Sequence, residues 1–344
     1  MLNYEPLNQQ KCALPEDLRL AGVHWLWKHV RRCWAQNRPL TALVVFSFVC
    51  LIISITGLEF DARLINGERA WIKPLKFSIS FSVYAYTLIY FSQYLTKNRD
   101  FFRRISLVAL IGAIVELSVI ILQVLRGTTS HFNTSSPFDH AIFITTVVAI
   151  TPVAFGIIAT FVMLLSEESL PPVLGLALRW ALFLTIIGFI PGVLMVLPEK
   201  ILGFALLQRY SDGHTIGYPE GGPGLPWLGW STVAGDLRVA HFVGIHALQI
   251  LPIIGYAISK LFSRLSIARQ QLLVSNVGCT YLSCVCLLTW QALAAEPLTV
   301  PSHNTMLFSS IVALASLTAV ALTVLLPDLK TSKTWPYVLI AKTS

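Results

Sequence analysis

GDLRVAHFVGIHALQILPIIGY, residues 235–256, decides how the rest of the chain is read. It opens on Asp236 and Arg238, then runs into an apolar helix carrying His241, His246 and Gln249. Polar side chains at that depth of a hydrophobic segment cost free energy, so they need a partner or a task. Apolar blocks of similar length recur on both sides, separated by polar links. Composition agrees: of 344 residues, 55% are hydrophobic and 12% charged, against roughly 25% charged in soluble domains. The expected fold class is all-α, a polytopic transmembrane helix bundle.

At about 20 residues per crossing, spans are expected at residues 40–58, 75–95, 105–125, 141–165, 174–197, 237–261, 270–293 and 306–326. This makes 40–326 an eight-helix transmembrane domain. Residues 1–39 form a cytoplasmic N-terminal segment, and 327–344 a short cytoplasmic tail. Within the N-terminal segment, GVHWLWKHVRRCW (residues 22–34) sets Leu26, Val30 and Cys33 at helical spacing. Lys28, Arg31 and Arg32 give it a basic face, the pattern of an interfacial helix on an anionic leaflet.

The net charge of +8 does not point to nucleic acid, because the cations lie between hydrophobic blocks. With both termini inside, about two thirds of the 25 Lys and Arg fall on the cytoplasmic side, as the positive-inside rule requires. No signal-peptide pattern precedes the first span. The cysteines show no disulfide framework; Cys50, Cys279, Cys284 and Cys286 are expected as small buried hydrophobes.

Several polar residues stand out against this background. Trp71 and Lys73 suit the interface, Pro74 the first turn of a helix, and Lys76 lies one residue deeper, where it could face an anion. Glu116 sits mid-span with Gln123 seven residues on, on the same face; such an acid must be protonated, paired or hydrogen-bonded. The loop RGTTSHFNTSSPFDH (residues 126–140) is dense in donors and acceptors and ends on Asp139, placed to cap the next helix. Pro152, Pro191-Gly192 and Pro252 are expected helix breaks or kinks. EKILGFALLQRY (residues 199–210) reads as a surface helix, and the glycine-rich stretch that follows as turns, with Trp227 and Trp230 folding it onto the interface.

The orientation collects His131, Asn133, Asp139, His140, His214, Asp236, Arg238 and His303 at the outer side, with His241 just below. A metal would need one helix histidine plus ligands from other segments, with His131, Asp139 and His241 the natural set. His241 and His246 are five residues apart, about 140° around the helix and about 7.5 Å along it. The chelating spacing is i,i+4, so these two do not grip one ion together. Haem is a second cofactor candidate, with Gly244 giving a ring space beside His241. No GxSxG, Walker, Rossmann or HExxH pattern occurs.

Three strings, WIKPLKF (71–77), RGTTSHFN (126–133) and GDLRVAHFVGIHALQILP (235–252), together resemble an uncharacterised family of bacterial multi-pass membrane proteins. The resemblance covers a small part of the chain. It implies a bacterial inner membrane and draws attention to His131, Asn133, Asp236, Arg238, His241 and His246, and it brings no activity.

Three functions follow as expectations. The first is a membrane-embedded site, possessing a metal or haem or neither, in which His241 and His131 act and Asp236 and Arg238 orient them or hold an anion. The second is a small-molecule transporter with Glu116 and Gln123 in a midplane cavity and His246 and Gln249 facing them. Lys73, Lys76 and Asn133 are further ligand-binding candidates for either. The third is a structural or assembly protein whose histidines only satisfy hydrogen bonds. Partners are membrane lipids and a small-molecule ligand.

Overall fold

The computed structural model describes residues 23–196 and 213–326. Nine helices lie within them: α1 (Val23–Gln36), α2 (Arg38–Phe60), α3 (Ile72–Ser92), α4 (Arg99–Arg126), α5 (Pro137–Leu165), α6 (Pro172–Val196), α7 (Leu237–Leu261), α8 (Ile267–Leu293) and α9 (His303–Leu325). Seven of them, α2 and α4 to α9, are long and apolar enough to cross a membrane. The chain is an integral membrane helix bundle. α3, the second expected span, is a helix of 21 residues but a less apolar one, because Lys73, Lys76, Ser78, Ser80, Ser82 and Tyr84 interrupt its hydrophobic positions. The surface helix expected at 199–210, the residues before 23 and the tail from 327 lie outside the described residues.

Sequence neighbours joined by short links pack side by side, as closely spaced helices must. α3, α4, α5, α6 and α7 form a ring; α2 backs α3 and α4, α8 backs α6 and α7, and α9 packs chiefly on α8. Small residues set the closest approaches. A Cβ added to Gly188 on α6 would lie 2.5 Å from the Gly244 carbonyl carbon on α7, and one on Gly112 of α4 would lie 2.3 Å from the Ala149 carbonyl oxygen of α5. Without a hydrophobic force between helices in lipid, such backbone contact is a main source of association. Gly244 is thus filled by α6 backbone and is not itself the source of ring space beside His241.

The helix ends explain the links. Asn37 caps α2, accepting from the Leu40 amide, and its own amide donates to Ser106 Oγ at 2.9 Å. Ser136, rather than Asp139, is the N-cap of α5; Asp139 donates its amide to Ser136 Oγ and accepts that hydroxyl in return at 2.6 Å. Pro152, Pro191 and Pro252 all lie inside continuous helices, so Pro191-Gly192 does not end its helix.

Other expectations are corrected by packing. Trp71 is 7% exposed rather than an interfacial anchor; its indole donates to Asp61 at 2.8 Å over Gly57, whose missing Cβ leaves room for the ring. Hydrogen bonds from Arg63 and Trp71 hold the Asp61 carboxyl well below the usual carboxylate range. Cys50 is buried, but Cys279, Cys284 and Cys286 lie exposed on α8, the flank of a peripheral helix. On α1, Cys33 is buried while Leu26, Trp27 and Trp34 stay exposed, an arrangement suited to a membrane interface.

Two short antiparallel hairpins build the loops at one end of the bundle. β1 (Leu64–Ile65) pairs with β2 (Glu68–Arg69) before α3, and β3 (Thr215–Ile216) pairs with β4 (Gly235–Asp236) before α7. The segment between β3 and β4 folds back over the bundle end, held by hydrogen bonds between Leu225 and Trp230 and between Thr232 and Pro223.

Candidate functional site

Inside the ring of α3 to α7, beneath that folded segment, lies a cavity of about 1330 Å³. It exceeds the roughly 300–1,000 Å³ of drug-sized ligand sites. Its walls are mostly apolar, with Phe77 and Phe81 from α3, Ile150 and Ile157 from α5, and Ile186 and Phe189 from α6. Toward the other end of the bundle it stops at a packed core that includes Leu88, Phe91, Leu164, Leu178 and Leu251.

The polar side chains of the cavity come from segments far apart in sequence. Lys73 Nζ lies 3.1 Å from His131 Nδ1, and His131 Nε2 lies 3.3 Å from Glu116 Oε1. Burial, followed by the positive charge of Lys73, pushes the His131 imidazole below its ordinary value. A neutral ring between an ammonium and a carboxylate has one sensible tautomer: Nδ1 accepts from Lys73, and Nε2–H points at Glu116. Lys73 therefore does not reach out to headgroups; it turns inward. Glu116 is 1% exposed and ten residues from the end of α4, about 15 Å down at 1.5 Å per residue.

Across the cavity, α7 supplies two histidines on different faces, as the five-residue spacing requires. His241 Nδ1 donates to the Gly188 carbonyl at 2.7 Å. His246 Nδ1 donates to Gln249 Oε1 at 3.0 Å, and Gln249 passes the chain on to Thr87 Oγ1 at 3.3 Å. Both histidines and Gln249 line the cavity.

Three buried atoms of cavity-lining residues have no hydrogen-bond partner among the described residues: Glu116 Oε2, Tyr84 Oη and His246 Nε2. Buried polar groups are nearly always satisfied, so such vacancies in a cavity wall mark where water or a ligand binds. Serine hydroxyls at positions 47, 78 and 82 are also unpartnered, but they lie outside the cavity wall.

The mouth is cross-braced by ion pairs. Lys76 Nζ lies 3.2 Å from Glu68 Oε2 and donates to the Leu228 carbonyl at 3.0 Å. Arg238 pairs with Asp236 at 2.7 Å, lies 3.6 Å from Glu68, and donates to the Gly229 carbonyl. Asp236 caps α7 and accepts the Ser231 amide at 2.9 Å. Asp236 and Arg238 thus bind each other and the covering segment; their hydrogen bonds do not go to His131 or His241. His214 lies 2.9 Å from Glu220 at the same rim. Burial raises the Glu220 carboxyl, but hydrogen bonding to His214 and to two backbone amides outweighs it and holds the group below its ordinary value. Lys73, like Arg69 and unlike Lys76 and Arg238, has no carboxylate within ion-pair distance among the described residues.

Besides Asp236, three of the candidate binding and metal residues from sequence, Gln123, Asn133 and Asp139, lie outside the cavity wall. Gln123, on the face of Glu116 but two turns higher, donates to Asp139 at 2.9 Å and to the Thr129 carbonyl at 3.1 Å. Asp139 also pairs with Arg126 at 2.5 Å. Asn133 ties its loop together, donating to Thr128 Oγ1 and accepting from Ser135. These groups have their acceptors filled locally. His140 and His303 are exposed at the bundle end. His131, Asp139 and His241 each have separate partners, and among the described residues no three His, Cys, Asp or Glu side chains gather to hold a metal ion.

Glu68, Tyr84 and Glu220 were not singled out from the sequence. Glu68 sits in a mixed loop and Tyr84 in an apolar span, and neither position carries a local pattern. The glycines around Glu220 and the two tryptophans were the available signal for the covering segment. No protein-family model, no curated protein and no solved structure matches this chain.

Proposed function

We propose that this integral membrane protein binds a small molecule bearing an anionic group in the cavity between α3 and α7. The observation that carries this reading is Lys73: a half-buried cation on the cavity wall that faces neutral His131 and has no carboxylate within ion-pair distance. Its attraction to Glu116 acts only across the His131 ring, and an anion beside it offsets the cost of withdrawing the charge from water. Glu116 Oε2, Tyr84 Oη and His246 Nε2 offer further polar contacts deeper in. In this reading His131 is the link between Lys73 and Glu116, and His241 and His246 contribute ligand contacts from the far wall.

The orientation proposed with it puts both termini in the cytoplasm of a bacterial inner membrane and the cavity mouth outside, as the distribution of Lys and Arg favours. A second reading, transport, is favoured by Glu116, a buried acid with one free oxygen on a cavity that is closed at its inner end. In a carrier this group would take a proton as the ligand crosses.

Native mass spectrometry of the protein purified in mild detergent tests binding. The expected result is a bound organic anion in the wild type, lost in Lys73→Met and retained in Asn133→Ala. A folded wild type that holds no anion, and is not stabilised by any acidic amphiphile, overturns the reading. An absorption spectrum and elemental analysis of the same sample test the metal and haem alternatives. Counterflow in vesicles, abolished in Glu116→Gln with binding retained, supports transport; unaffected counterflow excludes that role for Glu116.

A further inference from the structure

The cavity wall between α5 and α6 is also the outer surface of the bundle. Phe155 and Ile158 on α5 are 65% and 38% exposed, and Ile190 and Val193 on α6 are 51% and 48% exposed. All four line the cavity. The wall there is a single layer of side chains with no further helix behind it, so this is where a lateral opening of the cavity would lie.

The packing explains why the wall is thin there. α5 and α6 meet near their short link, where Phe161 and Phe183 lie 6.3 Å apart. Beyond that point each helix is drawn to a different neighbour: α5 to α4 through Gly112 and Ala149, and α6 to α7 through Gly188 and Gly244. Two contacts close enough to exclude a Cβ hold the helices apart on both sides of the gap. Pro152 on α5 and Pro191 on α6 both lie in these diverging halves, and each removes a backbone hydrogen bond that would otherwise stiffen its helix.

The surroundings of α5 and α6 are hydrocarbon. A water-soluble anion gains nothing from such an opening, whereas a lipid can slide its chain through it. We infer that the ligand is an acidic lipid, a single anionic head on a long hydrocarbon chain, which enters from the bilayer between α5 and α6. Its head sits at Lys73 and its chain lies along the gap. This inference rests on the anion-binding reading above and specifies the ligand class. The cavity volume accommodates a chain as well as a head, and the side walls along the gap are apolar while Lys73 supplies the charge.

The test is equilibrium binding to the full chain in nanodiscs of phosphatidylcholine, with oleate and lysophosphatidate as long-chain probes and hexanoate as the short, soluble one. Ala154 lines the cavity on α5, so Ala154→Trp plugs the gap; Val193→Trp on α6 is the second plug should the first fail to fold. The expected result is saturable binding of one long-chain probe, weakened at least tenfold by Lys73→Met. Association should be slowed at least tenfold by either tryptophan, and hexanoate should not compete. Preference between oleate and lysophosphatidate identifies the head as carboxylate or phosphate. Hexanoate competing as well as oleate, with both plugs silent, overturns entry from the bilayer and leaves the anion site standing. Long-chain binding that Lys73→Met leaves unchanged overturns the acidic head. No binding of any probe to folded wild type overturns both.

Discussion

Among the described residues two glutamates are buried, Glu116 at 1% and Glu167 at 2% exposure, and they are used in opposite ways. Glu167 lies in the link between α5 and α6. Its Oε1 accepts the Thr96 and Lys97 amides, each at 2.9 Å, and its Oε2 accepts the Thr96 hydroxyl at 2.6 Å. Arg179 donates to its carbonyl at 3.1 Å. Every part of the residue is engaged in joining two inter-helix links. Glu116 has one oxygen near His131 and the other without a partner, on the wall of a cavity. The comparison teaches that burial of an acid does not by itself mark function. What separates a clamp from a site is whether the acceptors are filled from within.

The largest expected effect is on the clamp. Glu167→Ala leaves two amides and a hydroxyl without their acceptor, and charged hydrogen bonds contribute about 1.5–3 kcal/mol each. A fall in the unfolding midpoint in detergent of many degrees is expected, with ligand affinity per folded molecule unchanged. Glu116→Gln should show the reverse pattern, a stability change of less than about 1 kcal/mol with altered ligand binding. A midpoint that drops equally in both variants would erase the distinction.

Lys73→Met comes next. A loss of at least tenfold in anion affinity, about 1.4 kcal/mol, is expected by titration, while the midpoint stays level because the half-buried Lys73 makes no direct ion pair. A marked loss of stability would make Lys73 a structural partner of His131 instead.

The clamp also has a pH signature. Burial works to raise the Glu167 carboxyl, yet the hydrogen bonds from Thr96 and Lys97 win and hold it below its ordinary value of 4.5. A lowered folded value means that the stabilisation is fully present above the unfolded value and is lost as pH falls through the folded one. The stability difference between wild type and Glu167→Gln should therefore be constant from pH 7 to about 5 and shrink below it. A difference that grows on acidification would reverse the sign and refute the clamp.

The smallest effect concerns the cover. Glu68→Ala removes the partner of Lys76 and Arg238 at the rim; half-exposed ion pairs contribute about 0–1 kcal/mol, so stability should barely move. Hydrogen exchange at residues 225–229 should accelerate, and ligand exchange with it. Unchanged protection would mean that the carbonyl contacts of Leu228 and Gly229 hold the segment unaided.

Much of the fold was legible in the sequence because hydropathy belongs to a segment, whatever it packs against. The expected second span was recovered as a helix even though serines, tyrosines and two lysines dilute it. The polar site was legible only as a list. Glu116 and Gln123 share a helix face, yet a depth difference of two turns gives one a cavity and the other a loop. Lys73 read as a residue for the interface because its stem can reach there. Nothing near it in sequence says that His131, 58 residues away, stands in its path. Gly244 read as room for a ring and proved to be the contact point of two backbones.

The sequence by itself determined that this chain lives in a membrane, how its apolar blocks divide, and that its polar residues concentrate near one set of helix ends. Only the tertiary structure decided which of them share a cavity, which are satisfied elsewhere, and where the wall of that cavity is thin. The physical reason is that the bilayer selects segments by their summed transfer energy, which is additive along the chain. A site depends on helix rotation, depth and close approach, and these are set by contacts between residues that the chain keeps far apart.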